Sequence, residues 1–359
     1  MPGMAETADF RFFDDPLRYY NAMLDDINHA RHYIYLETYR FNNDSIGKKF
    51  RDALTRKSKE GVEIKLLMDS WGTSLPKTFF SEIQKNRGEV RYFQKLKIVW
   101  DFFSRNHMRN HRKLIVIDDE VAYIGSANLT DYSLNWRESI LRIKSDLAPV
   151  FKKAFLQHFE LFNKYAFEAR IQVRRIRHGD FEIIRDIPSL TKQKIRRRYI
   201  ELFRSAEKEV IIETPYFLPS RFIRKAMTDA SKRGVDIMVI MPRNSDVGLV
   251  DILRNRYLGI LHRNGIKLKF YMPYNLHAKL LLVDRRIFSI GSPNFDYRSF
   301  RFQHEIVMLG QEDGVIRQLI EHINETIANS QDFDYEAWEK RSKIQRFVEW
   351  VIMPFRQLL

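Results

Sequence analysis

A chain of 359 residues that is 44% hydrophobic and 30% charged is long enough for two domains and apolar enough to bury real cores. Its formal net charge of +15 favours an anionic partner, whether nucleic acid, an acidic membrane surface or a phosphate-bearing substrate, without choosing among them. The lack of cysteine excludes disulfides and thiolate metal ligands.

The first sixteen residues, MPGMAETADFRFFDDP, have no basic start followed by an apolar core and so do not read as a signal peptide. No apolar run approaches the roughly 18 residues of a membrane span, so no transmembrane helix is expected and a cytoplasmic protein, free or peripheral to the inner membrane, is the default. A β-rich stretch, YIYLET, ends at Glu37-Thr38. Helical spacing follows at Ile46, Phe50, Ala53 and Leu54, stops at Gly61, and gives way to a buried-type strand over residues 62–68. The order recurs later. VIIET ends at Glu213-Thr214; Ile223, Ala226, Met227 and Ala230 have helical spacing; Gly234 stops it; and residues 235–240 form the next strand. The alternation reads as α/β, with helices covering a largely parallel sheet.

The strongest repeat is a motif. Residues 111–128 read HRKLIVIDDEVAYIGSAN and residues 277–294 read HAKLLLVDRRIFSIGSPN. Both follow H-x-K, four residues, D, six residues, G-S-x-N, a spacing too specific to recur in register by chance. His111 and Lys113 are two apart in a strand-like segment and share a face. Asp118-Asp119-Glu120 is a turn signal, so a hairpin centred near residue 119 returns position 127 beside 111 and brings Ser126 and Asn128 to the histidine and lysine. The second copy returns 293 beside 277, bringing Ser292 and Asn294 to His277 and Lys279. An imidazole, an ammonium, a hydroxyl and a carboxamide gathered in this way suit a phosphodiester: Lys113 and Lys279 hold non-bridging oxygens, the Ser and Asn side chains donate further hydrogen bonds, and a histidine attacks phosphorus while a second protonates the leaving alcohol. Two copies supply two histidines, hence one site at the interface between the halves. A lysine beside each histidine repels a cation, so no metal site and no cofactor are expected. Asp118 and Asp284 serve either the turn or the chemistry. Glu138 and Glu305, 27 and 28 residues past their histidines, could each take the other ring nitrogen of its own histidine and fix the tautomer.

A basic junction (Arg170, Arg174, Arg175, Arg177) leads to His178-Gly179-Asp180, and a second basic run over 192–198 is either a solvated helix face or an anion contact. An apolar group before the first motif, Leu96, Ile98, Val99, Trp100, Phe102 and Phe103, either dips into lipid or is core. The division expected is a first domain over residues 1–168, a second over 169–330 and a tail over 331–359. In that tail Ile344, Phe347, Val348, Val351, Phe355, Leu358 and Leu359 share a helical face flanked by Lys340, Arg341, Lys343 and Arg346, and Pro354 ends or kinks the helix. It is either an interfacial helix or one docked on its own domain.

These motifs resemble the phospholipase D superfamily and its paired HKD signature. Glu37-Thr38 with Asp44, ETPYFLPS (213–220), RGVDIMVIMPRNSD (233–246) and GSPNFDYRSF (291–300) resemble its cardiolipin synthase branch, in the form without N-terminal transmembrane helices. The resemblance implies two α/β/α domains related by a pseudo-twofold with one active site between them. It implies His111 as nucleophile, His277 as acid, and Lys113, Lys279, Asn128 and Asn294 on the phosphate. Glu138 and Glu305 would orient the histidines, and no metal would be needed. The implied reaction is phosphatidyl transfer between phospholipids through a phosphohistidine, with a phospholipase D-type hydrolase, or a nuclease on nucleic acid, as the alternatives. The oligomeric state is not legible.

Overall fold

The structure, a computed structural model, describes residues 8–93, 108–162, 174–189 and 191–354. The apolar group from Leu96 to Phe103, Arg170 of the junction, and Phe355, Leu358 and Leu359 of the tail lie outside the described residues. The chain divides into two compact units: the first takes the chain up to Asn135 and resumes at Ile140, while the second takes Trp136–Ser139 and the described residues from 174 onward. A division by linear halves does not anticipate that four-residue exchange.

In the first unit β1 (Asp9–Phe13), β2 (Tyr33–Thr38), β3 (Glu63–Asp69), β4 (Glu89–Phe93), β6 (Leu114–Ile117), β7 (Val121–Gly125) and β8 (Ile140–Lys144) form a seven-stranded sheet in the order β1-β8-β7-β6-β2-β3-β4, and the short β5 (Arg109–Asn110) leads into the motif. Every residue of β2 is buried, because helices cover both faces. Ile34 and Leu36 pack with Phe50 and Leu54 of the helix Ser45–Lys59, while Tyr35 stacks on Phe155 of the helix Ala148–Phe159 at 5.2 Å. Asp44 caps the first of these helices through the Gly47 N–H at 2.8 Å and also accepts from Thr130 Oγ1 at 2.8 Å, tying the helix start to the loop after the motif. Gly61 and Gly234 follow helix ends with φ of 89° and 92°, the left-handed turn that a residue without Cβ takes most readily.

The second unit repeats the scheme with β9 (Ile176–His178), β10 (Phe181–Asp186), β11 (Glu209–Glu213), β12 (Asp236–Pro242), β13 (Lys267–Tyr271), β14 (Leu280–Val283), β15 (Ile287–Gly291), β16 (Gln303–Gly310) and β17 (Ser330–Asp332), ordered β17-β13-β12-β11-β14-β15-β16-β10-β9. The helices Lys194–Ser205, Arg221–Lys232 and Gly248–Arg263 pack on the face that carries Val210 and Ile212. The helix Asp313–Ala328 places His322 on Glu213 of the opposite face, at 2.8 Å.

One expectation needs correcting. The sheets are mixed rather than largely parallel. Among the described residues the parallel ladders are β2 with β3, β3 with β4, β11 with β12 and β12 with β13. The cause is the motif itself: each copy is an antiparallel hairpin that adds to the sheet beside β2 or β11, with Glu37 opposite Leu114 and Glu213 opposite Leu280. Part of the basic run over 192–198 is engaged within its own unit, where Arg198 pairs with Glu182 at 3.0 Å and Arg197 donates to the Thr191 carbonyl at 2.7 Å, while Lys192 and Arg197 stay exposed.

The tail is docked. Trp338 donates its indole N–H to the Asn255 carbonyl at 2.7 Å, and the helix Lys343–Ile352 begins at a capping box between Ser342 and Gln345. No helix among the described residues is long and apolar enough to cross a membrane.

Candidate active site

Each hairpin has the register that its spacing predicts. Leu114 pairs with Ile124 and Leu280 with Ile290, so continuing each ladder outward sets 111 against 127 and 277 against 293. The turns are tight because both central residues take a left-handed conformation: Asp118 and Asp119 at φ 53° and 55°, Asp284 and Arg285 at φ 53° and 50°.

The aspartates of the motif hold these turns in place. Asp118 accepts from the backbone N–H groups of His32 and Tyr33, each at 2.8 Å, and also from that of Arg31. Asp284 accepts from Glu207, Lys208 and Glu209 at 3.0, 2.8 and 2.9 Å. Partial burial opposes the charge on Asp284, but the three N–H groups outweigh it and hold the carboxyl below the usual range. Each aspartate thus pins its hairpin to the start of β2 or β11. Of the two roles left open for them, the geometry favours the structural one.

In the second unit the catalytic candidates meet in a dry environment. His277 and Lys279 are both buried. Glu138, carried by the exchanged segment, places its carboxylate oxygens 2.9 and 2.8 Å from His277 Nδ1. An ionised carboxylate only accepts, so Nδ1 carries the proton and Nε2 presents a lone pair. Lys279 Nζ lies 3.1 Å from that Nε2 and donates to the His277 carbonyl at 2.9 Å. Burial lowers the His277 pKa, Glu138 partly restores it, and Lys279 lowers it again, so the ring is held neutral at pH 7. Burial brings Lys279 down to about 8 against the opposing pull of Glu138 and Glu305. Trp136 packs its ring 4.9 Å from that of His277, and Ser139 Oγ accepts from the Lys279 N–H at 2.9 Å.

Glu138 is therefore not arranged as its spacing from His111 suggested. Glu138 orients the histidine of the other copy rather than His111. The reason is chain path: the segment around Arg137 runs alongside 275–277, with Arg137 N–H on the Asn275 carbonyl at 3.0 Å and the His277 N–H on the Arg137 carbonyl at 2.8 Å. Distance along the sequence says nothing of such a crossing. Glu305 accepts from Ser292 Oγ, and that oxygen also accepts from the Ile306 N–H at 3.0 Å. Ser292 is thus engaged with the strand behind it rather than directed at a ligand.

In the first unit His111 and Lys113 are buried, and Lys113 Nζ donates to the His111 carbonyl at 2.7 Å, as Lys279 does in its own copy. Tyr39 stands edge-on to His111 at 5.4 Å and lies 5.6 Å from the Lys113 ammonium. Ser126 is fully buried. Behind the histidine, Glu37 accepts from Asn110 Nδ2 at 2.9 Å and from His158 Nδ1, with Arg112 at 3.3 Å; its burial opposes the charge, and Arg112 and His158 together keep the carboxyl below its ordinary range. The asparagines agree between copies. Oδ1 of Asn128 and of Asn294 is buried with no hydrogen-bond partner among the described residues. A half-turn of the Asn128 carboxamide presents a donor at that point, as an anionic ligand would require, whereas the Asn294 amide already donates to the Asp296 carboxylate.

Tyr39, Trp136 and Ser139 escaped the sequence reading. Trp136 and Ser139 flank Glu138 closely enough that its selection points to them, whereas nothing in the sequence singles out Tyr39.

Comparison with known proteins agrees with this geometry. The family model described as "Cardiolipin synthase, PLD-like domain" matches residues 23–162 and 199–327. A cardiolipin synthase of Clostridium perfringens is 31% identical over 360 aligned positions, covering 96% of this chain and 75% of that protein. One of Listeria monocytogenes is also 31% identical, covering 97% and 75%. Among solved structures, the phosphatidylserine synthase of Haemophilus influenzae superimposes with a TM-score of 0.74 at 14% identity, over 98% of this chain and 95% of that one. The polyphosphate kinase of Porphyromonas gingivalis does so with a TM-score of 0.64 at 12% identity, over 100% of this chain and 55% of that one. These two share the fold. The duplicated motif, the sheet order and the relatives at 31% identity place the chain in the cardiolipin synthase family of phospholipase D-like proteins.

Proposed function

We propose that the protein is a phosphatidyltransferase that joins phospholipids in the manner of a cardiolipin synthase, working at the cytoplasmic face of the inner membrane as a peripheral enzyme. The observation that carries this is the Glu138–His277–Lys279 array: a neutral imidazole with its tautomer set by a carboxylate and its lone pair beside an ammonium. One reaction uses both histidines. His111 Nε2 attacks the phosphorus of a phosphatidyl donor, a P–N bond forms as the ester P–O bond breaks, and His277 gives a proton to the departing alcohol. The incoming alcohol, the glycerol headgroup of a second phosphatidylglycerol, then loses its proton to His277 and attacks phosphorus. This releases His111 and yields cardiolipin. Lys113, Lys279, Asn128 and Asn294 hold the non-bridging oxygens. Because burial keeps His277 neutral before substrate enters, its acid role requires a proton gained as the anionic diester arrives, since an added negative charge raises an imidazole pKa.

Incubation with phosphatidylglycerol, and separately with DNA, followed by mass spectrometry tests the reading. Cardiolipin with release of glycerol is the expected product. Phosphatidic acid alone would make the enzyme a hydrolase, and cleaved DNA with unchanged lipid would replace the reading with a nuclease.

A further inference from the structure

The helix Lys343–Ile352 is docked through Glu349 and Ile352 and not through its apolar stripe. Glu349 is buried at 3% exposure, paired with Arg341 at 3.0 Å, while Ile344, Phe347 and Trp350 are 75%, 62% and 63% exposed. Val348 and Val351 are exposed beside them. Residues 344, 347, 348 and 351 follow the i, i+3, i+4, i+7 spacing of a single stripe, so an entire apolar face points away from the protein.

The orientation is fixed rather than slack. Trp338 lies against Gly259, where a Cβ would stand 2.2 Å from the indole ring, so only glycine admits the contact. At the other end Met353 is buried and its sulfur accepts from the Tyr257 hydroxyl at 3.4 Å. The capping box at Ser342 sets where the helix starts. Between these anchors the Arg341–Glu349 pair occupies the inward side and leaves the apolar stripe nowhere to go but out.

We propose that this stripe is a lipid-docking surface, with the helix lying in the headgroup plane of an anionic bilayer. Ten residues rise about 15 Å, too short to span a bilayer and suited to lying along it. Phe347 and Trp350 are side chains that settle at the boundary between headgroups and acyl chains. Lys340, Lys343 and Arg346 are exposed around the stripe and meet headgroup phosphates. The helix Gly248–Arg263, on which this one packs, itself exposes Leu249, Ile252 and Ile260 with Arg256 and Arg263. Charge argues against a second copy as the occupant, because pairing two chains of +15 through these faces would bring like-charged side chains together. The lipid choice rests in part on the proposed phospholipid substrate, since an enzyme that acts on bilayer lipids must reach a bilayer.

The test uses the full chain, sedimented with vesicles of phosphatidylcholine with or without phosphatidylglycerol. The double variant Phe347→Glu, Trp350→Glu changes two exposed positions and should fold normally by circular dichroism. Its binding to phosphatidylglycerol vesicles is expected to fall at least about tenfold, with turnover of monomeric short-chain phosphatidylglycerol unchanged. Lys343→Glu, Arg346→Glu should weaken binding in a way that added salt reproduces in the wild type. Wild-type binding by the double variant would overturn the proposal. So would a wild-type dimer that the double variant converts to monomer, with no vesicle binding by either, because the face would then belong to a second copy. Vesicle binding through this face by a protein that turns over no phospholipid would uphold the surface and refute the proposed function.

Discussion

Glu138→Gln changes one atom in the site and separates charge from shape. Glu138 offers two oxygens to His277 Nδ1 at 2.9 and 2.8 Å, and both groups are buried. A hydrogen bond to a charged partner contributes roughly 1.5–3 kcal/mol, which by itself is about 10–150-fold in rate. The tautomer adds to this. A glutamine can turn its NH₂ toward Nδ1, which drives the ring proton to Nε2, where Lys279 Nζ stands 3.1 Å away with only donors to offer. Exchanging the carboxylate for an amide behind a catalytic histidine costs about 10⁴ in a serine protease through the same tautomer error. Together these set the expected fall in kcat on the order of 10³. The carboxylate also raises the pKa of both His277 and Lys279, so its loss should move the alkaline limb of the pH profile to lower pH. The assay is conversion of phosphatidylglycerol read by mass spectrometry from pH 5 to 10, with the His277 tautomer followed by nitrogen-15 NMR. Activity within about threefold of wild type, with an unmoved alkaline limb, would refute the reasoning.

Three further outcomes are expected. His111→Ala and His277→Ala should each lower turnover by at least about 10³ with the far-ultraviolet spectrum intact, and near-wild-type activity in either would mean that one histidine suffices. Asp118→Ala and Asp284→Ala should act on stability instead: three backbone N–H groups lose an acceptor and a non-glycine residue stays at positive φ, so each should cost about 2–4 kcal/mol, read by urea unfolding. Full thermal stability with lost activity would return these aspartates to the chemistry. Burial lowers Lys279 to about 8, which means the ammonium is present below that pH and lost above it, so kcat/KM should fall about tenfold per unit beyond pH 8. Lys279→Arg should remove this limb whatever its effect on rate, because a guanidinium keeps its charge; a limb that persists in that variant would assign it to another group.

Much of the site was legible in the sequence because it is local. The hairpin register follows from the spacing of His111, Asp118 and Asn128 alone, and the glycines at 61 and 234 mark helix ends that the structure shows. Helix faces were equally plain: Ile46, Phe50, Ala53 and Leu54 are all buried. The partner of Glu138 was not legible, since it depends on four residues leaving one unit for the other. The mixed character of the sheets is hidden for a related reason, as β-rich runs separated by helices suggest parallel pairing while the hairpins that interrupt them add antiparallel ladders. The tail could have gone either way. Spacing reveals an apolar face but not which side is docked, and the burial of Glu349 against Arg341 shows that the apolar face is turned outward.

The central claim is that two half-motifs serve one covalent step. Rapid quenching of the enzyme during turnover of phosphatidylglycerol carrying a labelled phosphate, followed by peptide mass spectrometry under conditions that preserve P–N bonds, tests it most directly. The expected result is a single phosphatidylated histidine per chain, on the peptide containing His111, and no label in His111→Ala. Label on both histidines of one chain, or steady turnover with no label on either, would contradict it.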